Sequence, residues 1–481
     1  MITFIVAITT LVLGFIFYGK FIDRFFGADD SRPTPAIKMQ DGVDYTPMPT
    51  WKVFTIQFLN IAGLGPIFGA ILGAMYGPVA YLWIVLGAIF MGAVHDYFSG
   101  MLSIRDNGAS VPEIVGKYLG KGFQNFLRIF SLLLLIFVGV AFVSGPAGLL
   151  ATLTNGGLTT WLYAIFAYYL IATLLPINKI IGKIYPLFGI ALLIMAIGVG
   201  GAILFNGATG AIHMPELSLS SFRNMHEDPA HNLLYPMLFI VISCGALSGF
   251  HSTQSPMMAR TIKKESYGRY VFYGAMITES VVAIIWATAA MSFFGGAEGL
   301  NKTIAAGHNP AWIVNEISTT WFGHVGAIFA IIGVIAAPIT TGDTAFRSAR
   351  LTVADVFGYK QSSIKHRLVI SIPLFVVGWL LSQLEFSTIW KYLGLSNQIL
   401  AVVMLWAGAM YLAKVKKAHW FLSVPAAFMT TVTFTYLLVA PVKNGGFFID
   451  ASTGYLIGLA GGILSLIFFI YKAKQGSNSL E

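Results

Sequence analysis

Two hydrophobic segments of this chain are interrupted at their centres by runs that oppose helix. One contains Asn60-Ile-Ala-Gly-Leu-Gly-Pro66, the other Ser243-Cys-Gly-Ala-Leu-Ser-Gly-Phe-His-Ser-Thr-Gln-Ser-Pro256. In hydrocarbon every backbone N–H and C=O needs a partner within the protein, so unwound chain is tolerated only where it is buried in protein or lines a cavity. Transporters built from inverted repeats carry such breaks at corresponding places in their two halves, with substrate and ion held between the freed backbone groups. The pair of breaks therefore predicts a shared binding site deep in a membrane.

Composition supports the membrane. Of 481 residues 57% are hydrophobic and 10% charged, against about a quarter charged in soluble proteins. The 51 glycines suit helices whose backbones approach closely in lipid. The single cysteine, Cys244, excludes an internal disulfide framework and reads as a small apolar residue. A net charge of +9 raises nucleic acid as a partner, but the basic residues recur in short loops instead of forming one patch, which the positive-inside rule explains. No GxxxxGK[ST] phosphate loop occurs, and Ala246-Leu-Ser-Gly-Phe250 lacks both glycines of G-x-S-x-G, so neither ATP drive nor a serine hydrolase is expected. The chain reads as a non-enzyme with no cofactor.

Segments long enough to cross a ~30 Å core number about 13, near 1–19, 51–75, 78–104, 123–153, 158–176, 182–205, 233–260, 266–294, 323–346, 366–384, 386–413, 419–441 and 454–472. The first lacks a basic leader and a small-residue cleavage site, so it is expected to be a retained helix. With the N-terminus outside and the C-terminus cytoplasmic, the inner loops collect all of the 29 Lys and Arg except Arg223, Lys302, Lys391 and Lys443. Each broken helix opens a group of five spans, 51–205 and 233–413. Five is odd, so the second group enters the membrane inverted. Residues 1–19 and 419–472 supply one and two accessory helices. The outer segments 206–232 and 295–322, with a short helical pattern at 311–318, are candidate lids.

The candidate substrate site follows from the breaks. Gly63, Gly65 and Pro66 weaken the helix and remove a donor, directing carbonyls and amides from Asn60, Ala62 and their neighbours into a cavity. The helix resumed after Pro66 points its positive end at the membrane centre, which favours a carboxylate. The second break contributes Ser243, Gly245, Ser248, His251 and Gln254. Its hydroxyls could simply bond back to their own helix, whereas a histidine binds an anion or carries a proton near neutral pH. Ionisable groups in membrane segments mark pathways. Glu279 lies mid-span with no base beside it in sequence, and is expected to be protonated, paired across helices or facing water. Asp343 has Arg347 four residues on as an ion-pair partner. Asp96, beside His95 near a helix end, reads as a gate contact or an interfacial group. Thr340 and Thr341 offer oxygen ligands for a hard cation. His226-Glu-Asp-Pro-Ala-His231 lacks metal-ligand spacing and reads as a solvated loop, so no metal site is expected.

The stretches Asp41-Gly-Val-Asp-Tyr45, Asn60-Ile-Ala-Gly-Leu-Gly-Pro66, Gly92-Ala-Val-His-Asp96 and Ser243-Cys-Gly-Ala-Leu-Ser-Gly-Phe-His251 resemble the carbon-starvation protein CstA family over roughly residues 1–441. The resemblance implies a bacterial inner-membrane uptake system for peptides or pyruvate. It also implies an all-α fold similar to the amino acid–polyamine–organocation superfamily, with a LeuT-like five-plus-five inverted repeat whose first and sixth core helices are broken. By that similarity Thr340 and Thr341 fall where sodium-coupled relatives carry adjacent hydroxyls. Asp343 and its neighbouring arginines depart from that pattern, so H+ and Na+ both stay open as the coupling ion. The combined expectation is an ion-coupled importer of a small carboxylate-bearing nutrient, with Glu279, Thr340, Thr341, Asp343 and Asp96 in the coupling role. A membrane-embedded sensor and a channel are the alternatives.

Overall fold

The computed structural model describes residues 1–42, 44–154, 156–174, 183, 185–361, 363–384 and 386–478, which form helices and connecting segments with no strand among them. Lys179, counted above among the inner cations, lies outside the described residues. Nine helices among the described residues are long and apolar enough to cross a membrane, and ten if one sharply bent pair counts as a single span. The chain is a multi-pass membrane protein.

Helix α1 runs Ile2–Phe26, seven residues beyond the expected end at 19. A π-helical turn at Gly14–Tyr18 carries the helix on into Gly19–Phe26. Lys20 and Arg24 thus sit on its last turns and not in a loop, and Asp23 accepts the Tyr97 hydroxyl at 2.7 Å. The first broken span is α2 (Thr50–Ala62) and α3 (Gly65–Ala74), bent by 50°. Gly63, at φ −1° and ψ −129°, makes the corner. Pro66 falls in the opening turn of α3, where its missing N–H would have had no helical acceptor.

The next elements are α4 (Ala80–Arg105), α5 (Val111–Leu119), α6 (Lys121–Thr154), α7 (Leu158–Leu174) and α8 (Tyr185–Ala208). The second broken span is α9 (Leu234–Val241) and α10 (Gly249–Ala259). Only Ile242 to Ser248 is unwound, so the expectation that the chain stays non-helical to Pro256 is corrected. Ser248 takes extended cap backbone at φ −136° and ψ 125°, and α10 then runs through Pro256. The proline removes a donor to the Ser252 carbonyl, which receives the Ser99 hydroxyl at 3.4 Å. Ser252, Thr253 and Ser255 bond back to carbonyls of their own helix.

Beyond it lie α11 (Glu265–Phe293), α12 (Ala297–Ala305) and α13 (Pro310–Ile331), then a π-turn leading into α14 (Ala337–Phe357). This corrects the expected span 323–346. The helical path bends at Gly323, φ 57° and ψ −134°, and continues to Phe357 because Asp343, Arg347, Ser348, Arg350 and Thr352 are covered by protein. A hydropathy reading treats such charges as lying outside the bilayer. Helices α15 (Ile364–Leu381), α16 (Phe386–Lys414), α17 (Trp420–Val439) and α18 (Ala451–Asn478) complete the chain. At the centre α10 packs between α4 and α16, α11 lies against both halves of the first broken span, and α14 lies along α6. Helix α1 flanks α11, while α17 and α18 pair at the periphery.

Candidate functional site

The two breaks touch. A Cβ on Gly65 would lie 2.2 Å from the Cβ and 2.4 Å from the Sγ of Cys244, and one on Gly69 would lie 3.0 Å from the Val241 carbonyl oxygen. Gly245 holds φ +91°, a left-handed backbone that side chains resist, and a Cβ there would meet Ala283 of α11 at 2.6 Å. The glycines noted in the sequence are thus sites of helix-to-helix contact as well as corners.

Above this contact lies a cavity of about 970 Å³. Gly65, Ser243, Cys244 and Phe250 form its floor, and His226, His308 and Trp312 from the 206–232 and 295–322 segments form part of its far wall. No Asp, Glu, Lys or Arg is among its described wall residues. Of the candidate substrate residues Gly65 and Ser243 line it. Asn60, Ala62, Gly63, Gly245, Ser248, His251 and Gln254 are buried around the breaks, outside that wall. The Asn60 amide has no hydrogen-bond partner at either atom. Gln254 donates to Thr253 Oγ1 at 3.0 Å and leaves its own oxygen unmatched. His226 lies against the Tyr76 ring at 5.1 Å, so the segment read as solvated also helps to close the cavity.

Behind the floor, four buried ionisable side chains form a line across three helices. Asp96 on α4 spans two imidazoles, Oδ1 to His95 Nδ1 at 2.8 Å and Oδ2 to His251 Nδ1 at 2.8 Å. The other ring nitrogen of His251, Nε2, is 3.4 Å from Glu279 Oε2. An ionised Asp96 can only accept, so both histidines present Nδ1–H to it. His251 Nε2 then faces Glu279 Oε2 without a hydrogen bond between them. Glu279 is paired across helices, one of the three situations expected of it. Asp96 is fully buried, which corrects the interfacial reading: the charge that seemed to sit near a helix end is enclosed by α10 and α11. Cys244 Sγ, a His251 nitrogen and a Glu279 oxygen lie within 4.8 Å of one another, close enough to hold a metal ion.

A second polar group joins α14 to the first broken span. Thr341 Oγ1 donates to the Leu59 carbonyl at 3.0 Å and to Ala337 at 3.1 Å, while Thr340 bonds back to Ala337 at 2.7 Å. Asp343 accepts the Tyr185 hydroxyl, and Arg347 donates to the Ala172 carbonyl at 2.8 Å.

Sequence reasoning passed over two neutral amides on α16. Gln398 Nε2 donates to the Phe239 carbonyl at 2.9 Å, in the last turn of α9, and to the Leu247 carbonyl at 3.1 Å, within the second break. Asn397 Oδ1 accepts the Phe250 N–H, in the first turn of α10, at 3.0 Å. The signal is the polar run Ser396-Asn-Gln398 inside an apolar span, which carries no charge to mark it as a pathway.

Two broken helices meeting beneath a cavity define the class: a polytopic membrane protein with the broken-helix fold of secondary transporters. Solved structures share that fold at low identity. They include MhsT in complex with L-phenylalanine (TM-score 0.52, 12% identity, 88% of this chain and 98% of that one). A Na+-coupled sialic acid symporter in a substrate-bound outward-open state is similar at TM-score 0.52 and 14% identity, over 97% of this chain and 98% of that one. The profile of carbon starvation protein CstA matches residues 1–148, 146–320 and 288–436, and the chain belongs to this family. An uncharacterized membrane protein of Haemophilus influenzae is 44% identical, over 64% of this chain and 95% of its own. The peptide transporter CstA of Campylobacter jejuni is 25% identical over 89% of this chain and 78% of its own. The pyruvate/proton symporter BtsT of Escherichia coli is 26% identical over 60% of this chain and 48% of its own.

Proposed function

We propose that the protein is an ion-coupled secondary transporter of the bacterial inner membrane, with its N-terminus outside and its C-terminus cytoplasmic, importing a carboxylate-bearing nutrient by alternating access. The observation that carries this reading is the contact of the two breaks at the floor of the cavity, with Gly65 and Cys244 in opposition. Backbone freed at Gly63–Gly65 and Ser243–Ser248 surrounds that floor, and a substrate held there is reached by movement of either broken span. The substrate is a short peptide or pyruvate, as in the names of the Campylobacter jejuni and Escherichia coli relatives. A volume of about 970 Å³ stands at the upper end of the ~300–1,000 Å³ usual for small-molecule sites, which favours a peptide.

The Asp96–His251–Glu279 line supports proton coupling, because one proton at His251 Nε2 changes charge directly behind the floor. The hydroxyls of Thr340 and Thr341, with Asp343 nearby, are the oxygen donors that a Na+-coupled variant of the mechanism would use. Proteoliposomes test the whole reading: uptake of radiolabelled dialanine and pyruvate is measured under separately imposed proton and sodium gradients. Saturable, gradient-driven accumulation of one substrate is expected. Binding without flux would make the protein a sensor, and flux that neither saturates nor accumulates would make it a channel.

A further inference from the structure

The cavity has to hold an anion with no Lys or Arg in its described wall. Resting on the transport reading above, we infer that Asn397 is a specificity-determining residue that donates its side-chain amide to the substrate carboxylate, and that Gln398 holds the unwound segment in the shape this requires. Asn397 lines the cavity although its residue is only 2% exposed. Its oxygen is committed to the Phe250 N–H, and its Nδ2 has no acceptor among the described residues. A fixed oxygen on a planar amide leaves the two N–H groups directed away from α10. That amide group opens on the cavity and is not shut away from it, so it is a donor available to an acceptor that enters.

Two further observations point to a carboxylate. The buried Ser144 hydroxyl on the α6 side of the wall has no hydrogen-bond partner among the described residues, and the Ser243 hydroxyl lies in the same wall. A carboxylate accepts from several donors at once, and these neutral groups supply them. The cavity floor also includes Phe250, whose N–H belongs to the first turn of the eleven-residue helix α10. The positive end of that helix adds attraction that a neutral carbonyl ligand would not feel to the same degree. Aromatic wall residues such as Phe68, Phe142 and Trp390 leave the rest of the ligand in an apolar setting, which suits a molecule charged at one end.

Gln398 acts through the backbone. Both hydrogens of its Nε2 are used, one on α9 before the break and one inside the break. Helix ends leave carbonyls without partners, and here a single side chain satisfies one in the last turn of α9 and one at the end of the unwound stretch. Gln398 is a positioning residue, distinct in role from Asn397.

The test compares a free acid with its neutral analogue. In proteoliposomes, inhibition of labelled dialanine uptake by unlabelled dialanine is set against inhibition by dialanine amide, with pyruvate and its methyl ester as a parallel pair. Asn397→Asp keeps the acceptor for Phe250 N–H and replaces the NH2 with a carboxylate oxygen. It is expected to reduce the preference for free acid by about tenfold to a hundredfold, the range for losing a hydrogen bond to a charged group, while the amide inhibits as well as before. Asn397→Ser, read in the same way, serves if the aspartate variant does not fold. Gln398→Ala is expected to slow turnover with acid-over-amide preference unchanged. A folded Asn397 variant with wild-type preference overturns the assignment of Asn397, and a changed preference in Gln398→Ala overturns the separation of roles. If the wild-type protein shows no uptake, the transport reading fails. The Asn397 assignment is then decided by ligand-induced thermal stabilisation, where dialanine must protect wild type more than its amide does and Asn397→Asp must lose that difference.

Discussion

Substituting Gly65 by alanine should separate the two breaks, and restoring space on the opposite side should bring them back. An alanine Cβ at this position would stand 2.2 Å from Cys244 Cβ and 2.4 Å from its Sγ. Carbon atoms in comfortable contact are about 3.5–4.0 Å apart, so the unwound segment would have to retreat by roughly 1.3 Å or more. It has little room to do so, because on its other side a Cβ at Gly245 would already be 2.6 Å from Ala283 and one at Gly92 would be 2.1 Å from the Ala246 carbonyl oxygen. Overpacking of this kind destabilises by about 1–3 kcal/mol, and the displaced floor should lower substrate uptake more than stability alone would. Cys244→Gly removes both atoms that the new methyl group meets. The double variant Gly65→Ala/Cys244→Gly should therefore be more stable than the sum of its parts by about 1–3 kcal/mol, within the range seen for residues in contact. Equilibrium unfolding of the four proteins in mixed micelles gives the cycle, and proteoliposome uptake reports the function. Additive free energies, or a double variant less active than Gly65→Ala, would refute direct opposition of the breaks.

Glu279→Gln should abolish gradient-driven accumulation while leaving exchange of substrate and the folded state intact, since the amide cannot trade a proton with His251. Unchanged accumulation under a proton gradient removes Glu279 from coupling. Asp96→Ala should destabilise the protein by about 3–5 kcal/mol, the usual effect of deleting one partner of a buried charged pair, because two imidazoles lose their common acceptor. A variant that unfolds at the wild-type midpoint would show that the cluster carries no charge. In the segment that closes the cavity, burial holds the His226 pKa below its usual 6.5, only partly offset by Asp228 and Glu227. Its neutral form therefore favours the folded state: that contribution is complete above the unfolded value and is lost as pH falls through the folded one. The melting temperature should decline between pH 7 and pH 5, and decline less in His226→Gln. Identical pH profiles would refute this.

The backbone of the site was more legible than its side chains. Gly63, Gly65 and Pro66 announce the first break because glycine and proline act on the local chain, whatever surrounds them. The second break was placed correctly but drawn too long, since Ser252, Thr253 and Ser255 look unfit for helix when read singly, yet each hydroxyl folds back onto a carbonyl of its own helix. Partnerships across helices were not readable. Glu279 was singled out as needing a partner, but that the partner is His251, and that Asp96 lies on the far side of the same ring, depends on how α4, α10 and α11 pack. Asp96 was misplaced for the same reason. Asn397 and Gln398 escaped because a neutral amide carries no electrostatic warning in a sequence; their role comes from carbonyls and an amide that only the break sets free. The charged stretch of α14 escaped hydropathy, which measures affinity for lipid and is blind to burial by protein.

Cys244 is the sole cysteine, lines the cavity and opposes Gly65, so its thiol reports directly on the place where the two breaks meet. The deciding measurement is the rate at which a small water-soluble maleimide modifies Cys244 in native membranes, with and without saturating dialanine or pyruvate, followed by mass spectrometry. The account predicts that the free protein is modified and that the transported substrate slows the reaction while its neutral analogue does not. A thiol that reacts at the same rate whatever is added, in a protein shown by uptake to be working, would contradict the claim that substrate binds where the two broken helices touch.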